Sequence, residues 1–164
     1  GAGMKRAFSA ATRMAALAAA ALLCAVAVNA LRRTPLPWRG EWSRHIENRA
    51  LQAGIPLAGL GRARSAAASR DALLLDARDP AQFRAGRLPG AVSLPLDRAR
   101  EQLMVEPVNP DPDHPMIVYC GGLDCDDALD LALLLRRFGY RDVALFAGGW
   151  AEWQAAGGAA ETGP

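Results

Sequence analysis

Two of the chain's three cysteines, Cys120 and Cys125, stand with four residues between them in YCGGLDCDD, residues 119 to 127. Such residues at such a spacing admit a metal site, a disulfide, or one reactive thiol with a companion. Zinc is disfavoured, because this is not the knuckle spacing and no second Cys/His pair follows the apolar head of the chain. No metal and no cofactor are expected. The local order favours a nucleophile: a wholly apolar run, MIVYC (116–120), ends on Cys120, Gly121 and Gly122 follow, and a helical pattern begins soon after. A strand, a glycine turn and a helix start form a nest of inward amide N–H groups backed by the positive end of the helix, which stabilises an anion. A thiolate on Cys120 would sit there, and the thiolate is the reactive form. Gly121, Gly122, Leu123, Asp124 and Cys125 complete the candidate loop. Asp124, Asp126 and Asp127 oppose a low thiol pKa. Their structural reading is capping, with Asp124 at the cap and Asp127 three residues on.

The elements that must position this loop are legible as alternating short apolar runs and helical patterns, the signal of a parallel sheet covered by helices. The runs 55–58, 72–77, 91–96, 116–120 and 143–147 are five expected strands. Helices are expected near Leu60 to Ser69, at Pro80 to Arg84, after Asp97, and from about Asp124 to Phe138, with Leu131, Leu134, Leu135 and Phe138 toward the core. EPVNPDPDHP (106–115) is a proline-rich loop, and GGAAETGP a frayed tail. His114 in that loop and His45 on a polar helix face read as surface histidines.

Charge is unevenly placed. Through Arg44 there are seven Lys/Arg against one acidic residue, and beyond it twelve against sixteen. A basic head on a mildly acidic body gives no nucleic-acid footprint. The head contains MAALAAAALLCAVAVNAL (14–31), flanked by Arg13 and by Arg32 and Arg33, with Asn29 its one polar side chain. Eighteen helical residues rise about 27 Å, roughly the hydrocarbon thickness. The expectation is a single-pass transmembrane helix or signal anchor, with a cleaved signal peptide as the rival. Cys24 inside it reads as an apolar filler. Trp38 and Trp42 suit a membrane interface, and Pro35 and Pro37 stop a helix. The resulting division is a basic N-terminus (1–13), the membrane segment (14–31), a linker with an amphipathic helix (32–54), the α/β domain (55–157) and a flexible tail (158–164). Basic residues before the apolar run favour a domain outside the cytoplasm, in a periplasmic or extracytoplasmic space.

LLLDARDPAQFRAGRLPGAVSLPLD (73–97) and IVYCGGLDCDDALDLALLLRRFGYRDVALFAGGWAEWQAAG (117–157) together resemble the two signature regions of a rhodanese-like domain. Asp76 and Arg78 match its Asp-x-Arg, Phe83 its phenylalanine, and GRLPGA (86–91) its Gly-His-Ile-Pro-Gly-Ala turn, with Arg87 where histidine is common. Cys120 to Cys125 match its six-residue loop, and Gly148, Gly149, Trp150 and Trp153 its closing stretch. The resemblance implies a five-stranded, mostly parallel sheet flanked by helices. It also implies a sulfurtransferase or persulfide carrier, in which Cys120 takes sulfane sulfur from a donor and passes it to a thiol or another nucleophile. The partners so implied are a sulfane-sulfur donor, a thiol acceptor and, through the head, a membrane.

Two departures from that pattern matter. Many relatives with thiosulfate activity carry basic loop residues, often an arginine last; here that position is Cys125 and its surroundings are acidic, which favours a neutral or protein-bound donor over an anionic one. Cys125 itself reads either as a resolving thiol or as a small cysteine at a helix start. Asp76 and Arg78 lie on the active-site side in the family, and a structural ion pair is their main reading. Two other functions stay open: a catalytically weak binding or sensing module, and a Cys120/Cys125 dithiol redox protein.

Overall fold

Apolar runs of four residues, bounded by Gly, Pro and Asp, make the strands of this protein, seen here in a computed structural model that describes residues 2–31 and 44–163, with side chains from Met14 onward. The chain divides into two compact units, residues 1–41 and 42–164. In the first, helix α1 spans Ala2–Ala30. No helix among the described residues is long and apolar enough to cross a membrane, so the expected transmembrane helix is not found. The side chains from Met14 to Ala30 are rich in alanine, which adds little to insertion. Trp38 and Trp42 lie outside the described residues.

The second unit runs α2 (His45–Gln52), α3 (Leu60–Ser69), β1 (Leu73–Asp76), α4 (Pro80–Ala85), β2 (Val92–Ser93), α5 (Leu96–Val105), β3 (Met116–Tyr119), α6 (Asp127–Arg137), β4 (Val143–Phe146) and α7 (Gly149–Ala155). The sheet order is β2-β1-β3-β4 and every pairing is parallel. Side-chain alternation along a strand sends successive residues to opposite faces. Leu75, Val118, Cys120 and Leu145 join the core under α2, α5 and α6, while Leu74, Ile117, Tyr119 and Phe146 join the core under α3 and α7. Both faces are covered, which is why β3 is buried at every position.

Among the described residues four strands form where five were expected. The run at 55–58 makes one isolated bridge, Leu57 to Leu145, held by Ala58 N–H donating to Leu145 O and Leu145 N–H to Pro56 O, both at 2.8 Å. Pro56 has no N–H to give, and α3 begins three residues after Leu57, so the pairing cannot extend. Phe138, expected in the core, is 39% exposed because α6 ends at Arg137. The tail is tied to the body: Trp153 Nε1–H donates to Ala159 O at 2.7 Å, and Arg87 and Glu161 form an antiparallel bridge.

Candidate active site

All four strands point their carboxyl ends the same way, and the loops after β1, β3 and β4 meet there. This is the edge at which open parallel sheets place their chemistry. The loop after β3 starts at Cys120, which is 4% exposed, and turns back at Cys125, whose N–H donates to Gly122 O at 3.1 Å. The two cysteines form a disulfide, with Cα atoms 6.2 Å apart.

What holds this loop is the first turn of α7. Trp150 N–H donates to Cys120 O at 2.8 Å, and Ala151 N–H to Gly121 O at 2.9 Å. The free amides of a helix start thus grip two consecutive carbonyls. Gly149, at φ +52°, lets the chains approach: a Cβ there would stand 2.3 Å from Cys120 O. A Cβ on Gly122 would meet Ala151 Cβ at 3.3 Å. With its carbonyls engaged, the loop keeps the amide N–H groups of Gly121 through Asp124 without a hydrogen-bond acceptor among the described residues. Unpaired amides in a tight turn are the electrostatic requirement for an anion on Cys120.

Asp76 and Arg78 support the loop from below and do not reach the cysteines. Arg78 Nη2 donates to Asp76 Oδ2 at 2.6 Å and Arg78 Nε to Oδ1 at 2.9 Å, with side chains 4% and 0% exposed. Arg78 Nη2 also donates to Gly86 O at 2.7 Å. The guanidinium lies 5.1 Å from the Trp150 ring centroid and 5.8 Å from that of Tyr119. It therefore braces the residue before Cys120 and the residue whose N–H holds the Cys120 carbonyl. Burial works against its charge, but the hydrogen bonds it donates to Asp76 and the negative field of that carboxylate prevail and raise the Arg78 pKa. Tyr119 accepts a hydrogen bond from Leu88 N–H at 3.2 Å, and burial, with the Asp76 charge adding to it, pushes its phenol far above the ordinary value.

The acids around the loop do not all cap. Helix α6 starts at Asp127 with Asp126 at the N-cap and no side-chain capping bond, so the expected Asp124 cap is absent. Asp124 is exposed. Asp126 instead accepts from Arg49 Nη1 of α2 at 2.7 Å, a link between elements distant in sequence. An Asp127 carboxylate oxygen and both cysteine sulfurs lie within 4.8 Å of one another. With the sulfurs joined, this trio offers no pair of thiolates to a metal. Beside it opens a cleft of about 290 Å³ whose lining includes Ala77, Asp79, Pro95, Leu96, Asp97 and Asp127. Its charged groups are all carboxylates.

Among the sequence candidates, Cys120 through Cys125 come together and Asp76 with Arg78 stand behind them. His114 lies at the opposite end of β3 from Cys120, and its N–H donates to Asp111 O within the loop. The sequence reading missed three things: the α7 clasp, the Arg49–Asp126 tie, and Asp79 and Asp97 in the cleft. The glycine pair before Trp150 was the signal for the first; the other two have none within a local window.

The family model "Rhodanese-like domain" matches residues 61–156. A mouse protein, thiosulfate sulfurtransferase/rhodanese-like domain-containing protein 3, is 30% identical over 96 residues, covering 52% of this chain and 59% of the mouse protein, so that relative extends well beyond the shared part. Human thiosulfate:glutathione sulfurtransferase is 29% identical over 110 residues, covering 62% of this chain and 95% of its own length. Among solved structures, the human single-domain sulfurtransferase TSTD1 superposes with a TM-score of 0.56 at 28% identity, over 62% of this chain and 97% of that one.

Proposed function

The chain belongs to the rhodanese-like domain family, and from that premise we propose that it is a sulfurtransferase in which reduced Cys120 carries sulfane sulfur as a persulfide. The observation that carries this reading is the placement of Cys120 at the end of β3, in a loop whose carbonyls are gripped by α7 and whose amides are unpaired. Relatives named as sulfurtransferases support the reaction class.

In the first half-reaction the Cys120 thiolate attacks the outer sulfur of a donor persulfide. The donor's S–S bond breaks, its thiolate leaves, and a new S–S bond forms on Cys120. In the second, an acceptor thiolate attacks that outer sulfur and Cys120 departs as thiolate. The loop amides stabilise Cys120 as attacking and as leaving group, so both halves use one site. Asp76 and Arg78 position the loop and touch no reacting atom. The carboxylates of the adjoining cleft repel anions, so a neutral or protein-bound persulfide is the donor class proposed, in preference to thiosulfate.

Placement outside the cytoplasm belongs to the same proposal. It is supported by the basic residues ahead of the apolar run. A membrane contact through residues 14 to 31 is proposed on their sequence alone. Protease accessibility in intact spheroplasts, with partition between membrane and soluble fractions, tests both. The reaction is tested by turnover: reduced protein should move labelled sulfane sulfur from a persulfidated thiol to a small thiol, and Cys120→Ser should not. Equal rates for the two proteins would remove the proposal.

A further inference from the structure

The nucleophile of this domain is covalently paired. Cys125 occupies the last position of the loop, and its sulfur closes a disulfide onto Cys120 within the segment between β3 and α6. We infer that Cys125 is a second catalytic thiol that reduces the sulfur held on Cys120, so that the domain can release sulfide and end each such cycle as the Cys120–Cys125 disulfide. This rests on the persulfide proposal above.

The chemistry balances. The Cys125 thiolate attacks the inner sulfur of the Cys120 persulfide. The Cys120–Cys125 S–S bond forms, the bond between inner and outer sulfur breaks, and the outer sulfur leaves with the electron pair as HS⁻. The sulfane sulfur is reduced to sulfide and the two thiols are oxidised to a disulfide. An external dithiol then restores the protein. Cys125 is the more exposed of the two cysteines, Cys120 being 4% exposed, so the incoming thiolate reaches Cys125 Sγ. Cys120 is then the leaving group, returned as thiolate into its amide nest. The remaining mixed disulfide on Cys125 is cleared by the second thiol of the reductant.

The electrostatics point the same way. Asp127 holds a carboxylate oxygen within 4.8 Å of both sulfurs. A negative group there disfavours a lasting persulfide anion, whereas the disulfide is neutral and the sulfide diffuses away.

The test is a single turnover. Reduced wild type and Cys125→Ser are each mixed with a labelled persulfide donor and no added thiol. Released labelled sulfide is trapped, and the protein is read by intact mass and by thiol alkylation. The inference expects a sulfide burst stoichiometric with wild type, whose two thiols become a disulfide, and loss of the burst in Cys125→Ser, which keeps one extra sulfur on Cys120. Wild type that retains sulfur on Cys120 with Cys125 still alkylatable overturns the resolving role while leaving sulfur transfer intact. If neither protein takes up sulfur, the persulfide proposal fails and this inference with it.

Discussion

Gly149 lies so close to the carbonyl of Cys120 that a Cβ at position 149 would stand 2.3 Å from that oxygen and 3.2 Å from Gly122 N. The loop that begins at Cys120 is therefore shaped by backbone-to-backbone contact with α7, and glycine at 149 is a requirement of both φ and space. Gly149→Ala should destabilise the domain by about 1–3 kcal/mol, the cost of a strained backbone position. Denaturant unfolding measures it, and sulfur loading should slow in the same variant because the loop must shift. An alanine variant as stable and as quick to load as wild type would show that the contact is not a constraint.

Arg78 and Asp76 predict an asymmetry between breaking and replacing a buried pair. Both side chains are almost wholly buried. Arg78→Met alone leaves the Asp76 carboxylate without its partner and should cost about 3–5 kcal/mol. Asp76→Leu combined with Arg78→Met should cost distinctly less, because no uncompensated charge remains. The comparison is made by urea unfolding of wild type, Arg78→Met and the double variant, and a double variant at least as destabilised as Arg78→Met would contradict it.

Tyr119 sets an alkaline limit. Its phenol pKa is raised in the fold by burial and by the Asp76 charge. A group raised above its unfolded value, about 10 for tyrosine, contributes stability that is fully present below that pH and is lost as pH climbs beyond it. Ultraviolet titration should thus show the phenolate of Tyr119 appearing only as the fold melts, above about pH 10. In Tyr119→Phe that share of the alkaline loss should vanish. Phenolate signal from Tyr119 in a fully folded protein would contradict the buried, charge-opposed setting.

The cleft carboxylates predict donor selectivity. Asp97 is exposed and lines the cleft beside Asp127. Asp97→Asn should raise the rate with thiosulfate severalfold at low salt and leave the rate with a neutral persulfide nearly unchanged. The gain should shrink as salt is added. A thiosulfate rate that ignores both the substitution and the ionic strength would show that the field of the cleft does not select the donor.

Much of this site could be read before any coordinates. Cys120 after MIVY and the glycine pair that follows placed the candidate cysteine at the end of β3, since a parallel sheet puts its chemistry at the strand ends. The Asp76–Arg78 pair was readable as structural. Three matters were not. Asp124 was the expected cap, yet the helix starts later, because Cys125 N–H closes a turn onto Gly122 O that delays it. The strand at 55–58 shrank to a bridge for want of an N–H on Pro56. The Arg49–Asp126 tie and the cleft of Asp79, Asp97 and Asp127 join residues far apart in the chain, and periodicity within a local window carries no information about such meetings.

In the proposed reaction Cys120 holds transferable sulfur. Site-resolved mass spectrometry of reduced Cys125→Ser after brief exposure to a persulfidated thiol tests it most directly, with Cys120→Ser treated in parallel. The expected result is one added sulfur on the peptide containing Cys120 in the first protein, removable by a small thiol, and none in the second. An unmodified Cys120 in the first, or the same uptake in the second, would contradict it.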